Sequence, residues 1–197
     1  MIDGLYGIAD AAWGDPVELG SRLAAAGCRI VQLRAKSLSD DTLLAAGRAL
    51  RPRLHAHGAR LIVNDRVHIA VACGADGVHL GQDDGRLDAA RRALPAGAII
   101  GRSTHTVQQV EDAQDADYLG FGPVFMTATK DTGYADRGLS ALAEAVAVSQ
   151  IPIVAIGGIN LARLQAVRET GAQGWAVISA ILDAGDLERA ARAFISG

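Results

Sequence analysis

Apolar runs of six to eight residues recur along the chain at intervals of about 25 residues, each followed by an Ala- and Leu-rich stretch with helical spacing. Eight such runs are present: LYGIAD (5–10), RIVQLRA (29–35), RLIVND (60–65), GVHLGQ (77–82), IIGRST (99–104), YLGFGPVF (118–125), IPIVAIGG (151–158) and GWAVISAI (174–181). Between them, PVELGSRLAAAG, DDTLLAAGRALRPRLHAHG and LARLQAVRETG read as helices closed by a Gly suited to a left-handed C-cap. Alternation of this kind builds a parallel α/β sheet. A doubly wound open sheet has a similar rhythm, but eight strands favour closure into a (β/α)8 TIM barrel, a compact single domain over residues 1–197 with short loops. The longest unpatterned connection, MTATKDTGYADRG (126–138), is the candidate for a mobile lid.

All strands of such a barrel open their carboxyl ends onto one face, where active sites are built. In order, those ends supply Asp10; Gln32, Arg34 and Lys36; Asn64 and Asp65; Gln82, Asp83 and Asp84; Ser103, Thr104 and His105; Thr127, Thr129 and Lys130; Gly157 and Gly158; and Ser179. Two acidic strand ends that are neighbours in barrel order thus face cations from the second strand and the sixth loop. Carboxylates are hard oxygen ligands, and Mg²⁺ takes one or two of them together with substrate phosphates. Asp65 and Asp84 are therefore the expected Mg²⁺ ligands, with Arg34, Lys36 and Lys130 neutralising a metal-bound diphosphate. The competing reading makes Asp65 and Asp83 or Asp84 helix N-caps, a position Asp favours. Lysine usage favours the functional reading: of 19 basic residues only Lys36 and Lys130 are Lys, and both map to this mouth. A compact ammonium approaches phosphate as a point charge, unlike a planar guanidinium. The glycines of VAIGGIN, ahead of an expected Asn160 N-cap, and Ser179 after the eighth strand suit a monophosphate, because loops after strands seven and eight commonly bind one. Two phosphorylated groups meeting in one mouth point to transfer with diphosphate as leaving group.

Composition narrows the partners. The chain has 197 residues, 50% hydrophobic and 21% charged, with a net charge of -3 and no basic block, which gives no electrostatic reason to expect nucleic acid or an anionic membrane as partner. The first residues, MIDGLYGIADAAWGD, lack the pattern of a secretory signal, and no apolar run reaches the length of a membrane span, so a cytoplasmic location is expected. Cys28 and Cys73 have no metal or redox spacing and read as small buried hydrophobes.

VQLRAK, NDRV, GADGVHLGQDD, STHT, GFGPVF with TATK, VAIGGI and VISAI occur in an order and spacing that resemble the thiamine phosphate synthase family over residues 5–195. The resemblance implies a (β/α)8 barrel that joins 4-amino-5-hydroxymethyl-2-methylpyrimidine diphosphate to a thiazole phosphate with Mg²⁺. It implies that Gln32, Leu33, Arg34, Ala35, Lys36, Asn64, Ser103 and Lys130 hold the pyrimidine diphosphate, that Arg34, Lys36, Ser103 and Lys130 act in catalysis, and that Asp65 and Asp84 bind the metal. Thr127, Ala128, Thr129, Gly158, Ile178 and Ser179 then hold the thiazole phosphate. A homodimer is the family's suggestion for assembly. The chain departs from the family pattern at Ala35, Arg102, Met126 and Ala128. The related thiazole tautomerase, a metal-free barrel with a His base in the sixth-strand segment, is the nearest alternative, but GPVF here carries no His. A non-catalytic barrel binding thiamine precursors is the other.

Overall fold

The computed structural model describes residues 2–126 and 135–197. Eight parallel strands close into one barrel in sequence order: β1 (Gly4–Asp10), β2 (Ile30–Arg34), β3 (Arg60–Asn64), β4 (Gly77–Leu80), β5 (Ile99–Thr104), β6 (Tyr118–Phe121), β7 (Ile153–Ile156) and β8 (Gly174–Val177). Helices alternate with them: α1 (Pro16–Ala25), α2 (Asp40–Ala56), α3 (Val67–Cys73), α4 (Leu87–Ala93), α5 (Val107–Asp112), α6 (Gly138–Val148) and α7 (Leu161–Glu169), with α8 (Ser179–Leu182) and α9 (Leu187–Ser196) after the last strand. No helix among the described residues is long and apolar enough to cross a membrane.

The period-two alternation of each strand divides the apolar residues into two bodies. Leu5, Ala9, Val31, Leu33, Leu61, Val63, Val78, Leu80 and Ile100 point outward and pack under the helices. Tyr6, Ile8, Ile30, Ile62, Tyr118, Val154 and Ala176 point inward and fill the barrel. Cys28 and Cys73 are buried and unbridged, as their spacing implied.

Three strands are half the length of their apolar runs. β6 stops at Phe121 because Pro123 has no N–H to continue the ladder. β7 stops at Ile156, where Gly157 and Gly158 turn the chain at φ 103° and 61°. β8 stops at Val177, since Ile178 becomes the N-cap of α8, so Ser179 begins a helical turn rather than ending a strand.

The carboxyl-terminal α9 buries Leu187, Ala191 and Phe194, a helical stripe that strand counting overlooked. It is tied to α1 by a forked pair in which Arg22 Nε and Nη2 donate to Glu188 Oε1 and Oε2 at 2.7 and 2.6 Å. The Arg22 hydrogen bond pulls the Glu188 carboxyl down from 4.5 to about 2. A depressed carboxylate pKa contributes stability that is complete above about 4.5 and is lost as pH falls toward 2. Glu188→Gln should therefore flatten the fall in melting temperature over that pH interval. Both groups are partly exposed, so the difference at neutral pH should stay below about 1 kcal/mol.

Candidate active site

The second strand sorts its residues by parity. Gln32 and Arg34 face the barrel interior, whereas the Leu33 and Ala35 side chains belong to the packing under the helices. Asp10 lies beside Arg34 in the register of β1 and β2, and the Arg34 guanidinium donates to its carboxylate. Asp10 is 2% exposed and also accepts the Ala12 N–H at 3.0 Å. Just past the strand, Lys36 Nζ stands 3.9 Å from Asp65 Oδ2.

Asp65 has a positive φ of 64° and is the one described non-glycine residue in that region. Asp tolerates this conformation better than most residues, and here the reversal follows directly on β3. It does not cap a helix: the N-cap of α3 is Arg66, which makes no side-chain capping bond. Arg66 instead reaches back to the carbonyls of Leu38 and Lys36 at 2.8 and 3.2 Å, bracing the loop that carries Lys36. Asp84 is no helix cap either, because α4 begins later with Arg86 as its N-cap. Its Oδ2 accepts the Gly81 N–H at 2.8 Å, and a Cβ on Gly81 would sit 2.6 Å from that oxygen. Arg102 shares the outward parity of Ile100 and donates to Gly81 O at 2.6 Å. The family departure at Arg102 thus supports the Asp84 turn from outside the barrel.

Lys36, Asn64, Asp65 and Asp84 line one concavity at the mouth. Asn64 also lines the central cavity of the barrel, together with Gln32, Ser103, Gly158, Ile178 and Ser179. At the far side of this cavity Gly158 is required: its φ is 61°, and a Cβ would meet Met126 O at 2.5 Å and Phe125 Cβ at 2.9 Å. Arg163 donates to Gly158 O at 2.7 Å, and Asn160 caps α7 by accepting the Arg163 N–H, as the sequence implied. Thr127, Ala128, Thr129 and Lys130 lie outside the described residues, as does most of the 126–138 connection.

Sequence reasoning placed His105 at a strand end without giving it a role and passed over His79. His79 and His105 both line the central cavity. His105 Nδ1 donates to Gly122 O at 2.5 Å, and His79 bonds through both ring nitrogens. His79 carried a signal, being a polar residue at inward parity in an otherwise apolar strand.

The donor set suits a divalent cation. Asp65, Asp84 and the Asn64 amide offer hard oxygens in one concavity, leaving further positions for water or phosphate oxygens. Charge leads to the same group: Arg34 is already matched by Asp10 and Lys36 stands against Asp65, so these carboxylates offset the described cations of the mouth. A bound Mg²⁺ would restore the positive charge.

An eight-stranded barrel with carboxylates, cations and a glycine-lined cradle gathered at the carboxyl ends of its strands defines the class: (β/α)8 barrels that carry their chemistry at one mouth. Residues 5–181 match the family model described as thiamine monophosphate synthase. The thiamine-phosphate synthase of Methanoculleus marisnigri is 42% identical over 193 residues, covering 95% of this chain and 92% of that protein. That of Parasynechococcus marenigrum is 45% identical over 172 residues, but there the match covers 86% of this chain and 49% of the relative, so the chain spans about half the length of some curated relatives. The thiamine phosphate pyrophosphorylase from Pyrococcus furiosus superposes with a TM-score of 0.90 at 35% identity, covering 97% of this chain and 93% of that one. The chain belongs to the thiamine monophosphate synthase family.

Proposed function

We propose that the protein is a thiamine phosphate synthase, transferring the 4-amino-2-methyl-5-pyrimidinylmethyl group from its diphosphate to a thiazole phosphate. Family membership supports this reading. The observation that carries it is the junction at Asn64 between the carboxylate-and-lysine concavity and the central cavity. A substrate with a diphosphate at one end and a flat ring at the other spans such a junction.

The methylene C–O bond breaks with its electron pair passing to the diphosphate oxygen. The ring amino group feeds density to the cationic carbon, and the thiazole nitrogen lone pair closes the new C–N bond. No proton needs to move and no side-chain nucleophile is used. Arg34 and Lys36, together with Lys130, hold the diphosphate oxygens where negative charge accumulates. Asp65 and Asp84 hold Mg²⁺, which when bound supplies positive charge against the leaving group. Gln32, Asn64, Ser103 and the backbone of Leu33 and Ala35 fix the pyrimidine, while Thr127, Ala128, Thr129, Gly158, Ile178 and Ser179 fix the thiazole phosphate. Binding both partners in one mouth provides the alignment. Action in the cytoplasm and assembly as a homodimer belong to the same proposal.

Diphosphate release by the purified protein should require the pyrimidine diphosphate, the thiazole phosphate and Mg²⁺ together, and should stop on chelation. Metal-independent proton exchange in a thiazole phosphate, without diphosphate release, would instead identify a tautomerase. Binding of both compounds without turnover would identify a non-catalytic barrel. Either outcome overturns the proposal.

A further inference from the structure

Below the mouth, five side chains from five strands form one continuous hydrogen-bonded line. Gln32 Nε2 donates to Tyr6 Oη at 3.0 Å, and the Tyr6 and Tyr118 hydroxyls are 2.6 Å apart. Tyr118 Oη lies 2.9 Å from His79 Nδ1, and His79 Nε2 lies 2.9 Å from Ser103 Oγ. Gln32, Tyr6 and Tyr118 are 4%, 3% and 1% exposed. All five line the central cavity, and the line ends at Gln32 and Ser103.

The barrel is shaped to hold this line. A Cβ on Gly101 would fall 2.1 Å from Tyr118 Cζ, and one on Gly120 would fall 3.3 Å from His79 Cε1. The rest of the interior cluster is aliphatic. Buried polar groups are costly unless each is satisfied, so a continuous line that ends at Gln32 and Ser103 constrains what those two side chains present.

Proton counting gives the line a direction. Burial keeps both phenols far above their ordinary range, so each retains one proton to donate. A neutral imidazole has one donor and one acceptor nitrogen. An amide nitrogen only donates, so with Gln32 Nε2 on Tyr6 and each phenol proton kept within the line, the Tyr6 hydroxyl donates to Tyr118 and Tyr118 donates to His79 Nδ1. His79 Nε2–H then donates to Ser103 Oγ, which leaves the serine proton for the cavity. In this direction Gln32 presents its amide oxygen as acceptor and Ser103 presents a donor. The reverse direction exchanges both. A 4-aminopyrimidine edge pairs an N–H donor with a ring-nitrogen acceptor, matching the first arrangement. The corresponding 4-oxo ring pairs a carbonyl acceptor with an N–H donor, matching the second.

We propose that His79, acting through Tyr118 and Tyr6, is a positioning residue that locks Gln32 and Ser103 into opposite hydrogen-bonding roles, so that the cavity accepts an aminopyrimidine edge and rejects its 4-oxo counterpart. This deepens the proposed function and rests on its pyrimidine substrate.

Two measurements test it. Tyr118→Phe cuts the line while filling the slot opposite Gly101, and His79→Gln removes the two-ended bridge. Each should lower the ratio of kcat/KM for the 4-amino over the 4-oxo diphosphate by about ten-fold or more, with KM for thiazole phosphate changed less than about two-fold. An equal fall for both pyrimidines, leaving the ratio intact, overturns the proposal in favour of a purely structural role. Nitrogen-15 NMR of the unsubstituted protein reads the tautomer directly, the His79 signals being assigned by their loss in His79→Gln. The Nε2–H tautomer is expected, and the Nδ1–H tautomer overturns the relay. This readout needs no substrate, so it decides on the relay even if the protein fails to turn over.

Discussion

Asp84→Ala and Asp65→Asn are each expected to slow the proposed Mg²⁺-dependent diphosphate release by about 10²- to 10³-fold. The reason is the charge balance of the mouth. Among the described residues Arg34 is matched by Asp10 and Lys36 stands near Asp65, so a divalent cation held by Asp65 and Asp84 would supply positive charge that these pairs largely offset. Asn is the informative replacement at position 65, because it keeps the size and the tolerance for a φ of 64° while removing the charge. Ala there would add backbone strain to the loss of a ligand. Steady-state rates across a Mg²⁺ titration check the prediction. Near-normal turnover in both variants would mean that these carboxylates do not hold the ion.

The second large effect is expected in stability. Asp10→Ala should cost about 3–5 kcal/mol, because it strands the largely buried Arg34 guanidinium without its counter-charge. The loss also frees the Ala12 N–H that orders the first turn after β1. Replacing both members of a buried pair with apolar residues is far milder than removing one. Asp10→Leu combined with Arg34→Leu should therefore unfold closer to the unsubstituted protein in urea than Asp10→Ala does. A double variant as weak as the single one would point to lost packing in place of lost charge pairing. Activity would not return with stability in the double variant, since Arg34 faces the central cavity.

Much of this architecture was legible because a barrel strand carries two independent patterns. Apolar length marked the eight strands, and the polar residues following them marked the mouth. Length misled where the chain leaves the sheet without becoming polar: Pro123, Gly157 and Ile178 each end a strand through backbone geometry inside an apolar run. The hidden part of the site was the line from Gln32 to Ser103. Tyr6 and Tyr118 are separated by 112 residues and look like core aromatics, and only closure of the ring brings their hydroxyls together. Gly101 and Gly120 likewise resemble ordinary strand glycines until the rings that occupy their space are seen. Asp65 and Asp84 were readable as ligands or as caps, and the late starts of α3 and α4 decided against caps.

The groups at the mouth come from β2, β3, β4, β5 and the turns after β7 and β8, so no contiguous fragment of the chain contains them all. Opening the cylinder at any seam separates groups that a ligand must touch simultaneously. Occupancy of the mouth and closure of the cylinder are therefore linked equilibria, and saturating ligand should raise resistance to proteolysis around the whole circumference, not only beside the ligand.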